Sequence, residues 1–248
     1  MMIRKLEPIS LKDIIIDSLK YSASDLKMLI VLGFVLLLAD TAENLTYNGL
    51  FGDEIKLVFL GIVVVMAIFE AGYVFRIILE TVQGSDKLPK FENLKLMFIH
   101  GVTEFVLLII YFLIPIVFFG TFYFKFLISM DFNTLPLLSD IFIILILGFT
   151  VLVYILFPAV LLHRADNNGS FKSSFDFIEI YHKIRNVGLK RLVVVYLGLF
   201  IIVSIVKIVL TSTFAHNLPI IGEVIPDLII APYLLIFTTR VLGLINTP

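Results

Sequence analysis

Residues 55–80 read IKLVFLGIVVVMAIFEAGYVFRIILE, and between Lys56 and Arg76 the one charged side chain is Glu70. A helix needs about 20 apolar residues to cross the hydrocarbon core of a bilayer, so Ile55–Leu79 is long enough to span. A barrel strand would be a segment of about ten residues alternating in polarity, which this unbroken run is not. Five more stretches qualify: Leu26–Leu38, with room to extend past Asp40, then Val102–Phe124, Leu137–Leu162, Leu192–Leu210 and Leu218–Leu242. The composition agrees. Of 248 residues 60% are hydrophobic and 16% charged, with a mean hydropathy of +1.06. Soluble domains run at about 45–50% and about 25%. The expected fold is all-α, a polytopic membrane helix bundle of six transmembrane helices forming a single domain over residues 1–248. The formal net charge of −1 gives no basic excess for a nucleic-acid partner, and zero cysteines remove disulfides and thiolate chemistry.

Charge sets the expected topology. Met1–Glu7 is basic, but Pro8 and the polar stretch from Ser10 to Lys27 separate it from any apolar core, so no cleavable signal is expected. Threading the chain through six spans puts sixteen of the nineteen Lys and Arg on one side, leaving Lys56, Lys125 and Lys207 on the other. The positive-inside rule makes the richer side cytoplasmic. The expectation is a multi-pass cell-membrane protein with both termini in the cytoplasm. Asn44-Leu45-Thr46 then lies outside as a glycosylation sequon, and Asn168-Gly169-Ser170 lies inside.

Each odd-numbered span is preceded on the cytoplasmic side by an amphipathic stretch. In the first, Ser10 and Asp13 read as a capping box, with Leu11, Ile14, Ile15 and Leu19 opposite Asp13, Asp17 and Lys20. The second aligns Phe91, Leu94 and Phe98. The third sets Phe177, Ile180, Tyr181, Ile184 and Val187 against Asp176, Glu179, His182, Lys183 and Asn186. Gly101 and Gly188 are expected to end the second and third. The pattern predicts three interfacial helices and a pseudo-threefold repeat over roughly residues 8–80, 88–165 and 170–242, whose even spans exit through Gly72–Arg76, Pro158–Arg164 and Pro232–Arg240.

Gly72-Tyr73, Arg76, Gly84, Leu88-Pro89 with Phe91, and Gly101 stand in a recognisable order. Asp17-Ser18-Leu19-Lys20-Tyr21 and Asp25-Leu26-Lys27 precede them. In these residues the chain resembles the archaeal membrane proteins grouped as domain of unknown function 4013. The matching residues concentrate between 10 and 101, and the second half matches mainly in hydropathy. The resemblance implies a polytopic membrane topology and, the family's activity being uncharacterised, no chemistry.

Polar side chains at membrane depth are costly, which makes them the candidate site. Glu70 lies ten residues before Glu80, about 15 Å deep at 1.5 Å per residue. It is either a proton or cation site or a carboxyl hydrogen-bonded to a neighbouring helix. Arg76 can snorkel to the headgroups, pair with Glu80 one turn on, or reach Glu104 of the third span. Asp227 follows Pro226 and precedes Pro232, where a broken helix could bind a cation or an interfacial segment could end. His100, His163, His182 and His216 are scattered rather than spaced as a metal pair, and neither a nucleophile elbow nor a phosphate-binding glycine loop is present. No catalytic residue, metal or cofactor is expected, and the chain is expected not to be an enzyme. Membrane lipids, a second copy or another membrane protein are the expected partners. Lipid binding or organisation of a membrane complex is the leading function; a small transporter or channel is the alternative.

Overall fold

Among the described residues the apolar runs are helical in the computed structural model, which describes residues 10–47, 51–129, 135–217 and 224–246. Helix α1 (Leu11–Ser22) is followed by α2 (Leu26–Tyr47) and α3 (Asp53–Val82). Then α4 (Leu94–Leu108) passes through a π-helical turn (Ile109–Leu113) into α5 (Ile114–Ser129). Next come α6 (Leu135–Asp166), a short 3-10 turn (Lys172–Phe175), α7 (Phe177–Val187) and α8 (Leu189–Asn217). A second π turn (Pro226–Ile230) leads into α9 (Ala231–Ile245). Six of these helical segments are long and apolar enough to cross a membrane. The described residues contain no strand. The first span continues well past Asp40, and the start expected for the sixth, Leu218, lies outside the described residues.

Both π turns come just before a proline. Pro115 and Pro232 have no N–H to donate four residues back, and their rings crowd that carbonyl, so the helix widens there instead of closing an ordinary turn. The carbonyl that Pro232 leaves is that of Leu228. A Cβ added to Gly33 of α2 would sit 2.0 Å from the Leu228 oxygen. The widened turn and the glycine therefore allow α2 to approach closely.

Helix α3 is the centre of the bundle, packing against α2, α4, α6 and α9. Its crossing with α4 uses two glycines reciprocally. A Cβ on Gly72 would meet the Met97 oxygen at 2.0 Å, and one on Gly101 would meet the Ile68 oxygen at 1.8 Å. Gly101 thus lies inside α4 and does not end an interfacial helix before it. The second amphipathic stretch is not a separate helix. Residues 83–93 form an irregular loop in which Gly84 (φ +84°) and Asn93 (φ +56°) take left-handed conformations. Pro89 cannot donate to a helix there. Asn93 caps α4, its side chain accepting from the Leu96 N–H at 3.4 Å, and the helix runs from Leu94 straight into the third span.

Helices α1 and α7 start at the expected caps. Ser10 caps α1 by accepting from the Asp13 N–H at 3.2 Å, and Asp176 caps α7 by accepting from Glu179 at 3.3 Å. Gly188, at φ +89°, ends α7. Helix α1, the first described helix, lies along α9, the last, while α7 packs on α6 and α8. Loop 83–93, the turn 167–176, α1 and α7 meet at one end of the bundle, here called the basic end. The described core gathers toward it: the buried residues of α3 run from Gly72 to Thr81. Leu57, Val58, Ile144 and Ile208, farther along, are exposed apolar residues, as lipid-facing walls are.

Candidate functional site

At the end of α6 the side chain of Arg164 is fully buried. Its Nη1 is ion-paired with the buried Glu104 carboxylate of α4. Nη2 lies 3.3 Å from His100 Nδ1, and Nε donates to the Gly169 carbonyl at 3.1 Å. His100 and Glu104 are four residues apart and share one face of α4. The Phe75 ring of α3 underlies the guanidinium at 3.9 Å. Gly169, at φ +78°, lets the turn after α6 close over the imidazole, where a Cβ would come within 2.8 Å of His100 Cε1. Every guanidinium nitrogen is engaged. The cluster holds opposite charges in a water-poor site and ties α3, α4, α6 and the following turn together.

Arg240 of α9, only 2% exposed, forms a second cluster. It donates to Asp17 of α1 at 3.0 Å, Thr81 Oγ1 at 3.2 Å, the Ser85 carbonyl at 2.6 Å and Asp86 at 3.2 Å. Its guanidinium stands 4.2 Å above the Tyr21 ring. Burial pushes the Tyr21 hydroxyl up to about 12, against the opposing pull of Arg240. The phenol therefore stays neutral and donates to the Lys87 carbonyl at 3.1 Å. In a third cluster Arg76 pairs with Glu80 at 3.1 Å and donates to the Lys90 and Glu92 carbonyls at 2.9 and 2.7 Å.

Of the residues singled out from sequence, Arg76 and Glu104 are not brought together. Glu104 takes Arg164, and Arg76 takes Glu80, the local alternative. Glu70 is half-buried and lines a cavity of about 220 Å³ with Leu36, Val203, Leu234 and Thr238. Asp227 is half-buried within the second π turn. Arg164, Arg240 and His100 were missed. A signal for them existed: an arginine recurs at the exit of the second, fourth and sixth spans, at positions 76, 164 and 240. A carboxylate such as Glu104 also demands a cation when it enters a bundle.

The basic end also carries an apolar surface. In α1, Ile14, Ser18 and Tyr21 are buried while Leu11, Ile15, Ile16 and Leu19 are exposed. The stripe expected on α7 is divided: Ile180 and Ile184 pack inward, while Phe177 (65% exposed) and Tyr181 (63%) turn outward beside Ile178 (71%). Helix α7 is anchored from behind by the ion pair of Lys183 with Asp166. Asp166 in turn accepts from Asn246 at 2.9 Å.

No curated protein and no solved structure matches the chain. A family match covers residues 55–215, from the start of α3 almost to the end of α8. The match takes in both glycines of the α3–α4 crossing, Glu70, and the Arg76 and Arg164 clusters; the N-terminal residues that carried part of the resemblance precede it. On this match the chain belongs to the family described as protein of unknown function DUF4013.

Proposed function

We propose that this membrane protein is not an enzyme, and that it binds lipid at its basic end and organises membrane components through that surface. The observation that supports this reading is the two-faced character of α1 and α7. Each has one side packed on the bundle and another side of exposed, large apolar residues, at the end where most Lys and Arg gather. Such helices rest in the headgroup layer with the apolar side down, and flanking bases attract anionic lipids. In this reading the basic end faces the cytoplasm of the cell membrane and both termini lie there. The chain is built as three units of membrane-surface element plus helical hairpin. Loop 83–93, pinned by Arg76, stands in the middle unit where a helix stands in the other two.

Native mass spectrometry of the gently solubilised protein tests the reading. A specific retained lipid or a stoichiometric membrane partner is expected, and a bare protein overturns it. A spin label on Tyr181 should report a bilayer environment; bulk-water accessibility would sink the interfacial placement. One observation favours transport as a second reading, the cavity beside Glu70. Glu70→Gln should leave folding and insertion intact, and loss of a solute or ion flux in proteoliposomes would move the assignment to that reading.

A further inference from the structure

Between α1 and α8, at the basic end, runs a groove of about 120 Å³ lined wholly by apolar residues. Leu11 and Ile15 form one wall, Val194, Gly198 and Ile202 the other, and Val241 of α9 lies in the floor. The floor is firm, since Val241 and Val195 belong to a buried cluster with Ile14 and Phe237. The walls are open: Val194 and Ile202 are more than half exposed.

Gly198 explains why the groove exists. Gly33, Gly72 and Gly101 are small because a neighbouring backbone presses on them, each within 2.0 Å of an added Cβ. Gly198 has nothing within 4 Å of that position. Its missing side chain leaves space that no helix fills. Gly61, Gly120 and Gly148 are equally open but lie farther along their helices from the basic end. Val194 to Ile202 covers about 12 Å of helix, a length over which a hydrocarbon chain can lie parallel to α8. At the upper end, Lys190 stands one turn before Val194 on the same face, with Arg191 beside it. Lys12 flanks Leu11 and Ile15 on the opposite wall. Asp13 and Asp17 fall two positions off that stripe, and Asp17 is held by Arg240.

We propose that this groove is a lipid site, holding one hydrocarbon chain of an anionic membrane lipid whose headgroup phosphate meets Lys12 and Lys190. The proposal rests on the lipid-binding reading above and gives it a location and a headgroup charge. The chain has no tryptophan, so Ile202→Trp places a single fluorescent reporter in the groove. The full-length variant, reconstituted with brominated phosphatidylglycerol or brominated phosphatidylcholine, should be quenched at a lower mole fraction of the anionic lipid. Adding Lys12→Gln and Lys190→Gln should reduce that preference by roughly tenfold. In native mass spectrometry, Gly198→Leu should lose the retained phosphatidylglycerol, while Gly148→Leu, an equally open glycine elsewhere, should keep it.

Equal quenching by the two lipids, or retention unchanged by Gly198→Leu, would overturn the site while leaving lipid binding elsewhere intact. A wild-type protein that retains no lipid in any of these measurements would remove the underlying reading as well. If Gly198→Leu instead abolishes a dimer seen for the wild type, the groove belongs to a second copy and the proposal is wrong.

Discussion

At the residue scale, Arg164 separates a charge held for structure from one held for exchange. A buried ion pair gains little over apolar residues of the same shape, yet leaving one member alone in a dry site costs about 3–5 kcal/mol. Glu104→Leu strands the Arg164 guanidinium, and Arg164→Leu strands the carboxylate. Each single change should lower the detergent melting temperature sharply. The double variant should melt above at least one of them, with a coupling energy of up to about 3 kcal/mol in the cycle. Additive losses would mean that the two charges do not depend on each other. The sequence made Glu104 visible as a carboxylate entering a span, but not its partner. Arg76 lies closer in sequence, and only the packing of α6 against α3 brings residue 164 to α4. The local choice, Arg76 with Glu80, could be read because it needs nothing but helical periodicity.

Elements were legible to the extent that hydropathy alone sets them. Runs of apolar residues fixed the spans, and caps such as Ser10 and Asp176 fixed the starts of α1 and α7. The middle amphipathic stretch misled because Phe91, Leu94 and Phe98 have helical spacing while Asn93, in a left-handed conformation, forbids a helix across them. Gly101 misled for a related reason. A glycine can end a helix or admit a neighbour, and spacing does not distinguish these uses. The structure assigns it the second use, which makes a prediction about element packing. Gly101→Ala puts a methyl group 1.8 Å from the Ile68 oxygen, a backbone atom with no rotamer to escape into. The α3–α4 crossing must open, at a cost of about 1–3 kcal/mol or more. Gly148→Ala meets nothing within 4 Å and should be neutral or slightly stabilising through helix propensity. Melting temperatures of the two variants in one detergent decide it, and equal shifts would refute the close crossing.

For the whole molecule, the three arginines recur at the exits of the even spans, and each fastens neighbouring segments to the bundle, Arg76 and Arg164 the segment that follows their own helix and Arg240 segments from elsewhere in the chain. Arg76 holds loop 83–93, Arg164 holds the turn at Gly169, and Arg240 holds both α1 and the Ser85–Asp86 corner. Fastening of this kind requires that all three exits lie on one side of the membrane, which is also what the distribution of Lys and Arg demands. The tertiary contacts put the three exits at one end of the bundle; the side of the membrane which that end faces is a separate expectation, drawn from the positive-inside rule. Because the chain has no cysteine, single substitutions can report on it cleanly. Ser24→Cys and Ser170→Cys, both exposed at the basic end, should resist an impermeant maleimide in intact cells and react after lysis. Gly52→Cys, exposed before α3 at the opposite end, should react in intact cells. Reversal of all three results would invert the topology without disturbing the bundle. Labelling of Ser24→Cys and Ser170→Cys from opposite sides would break it, because the contacts of Arg240 and Arg164 with loops from two different hairpins could not then form at one end.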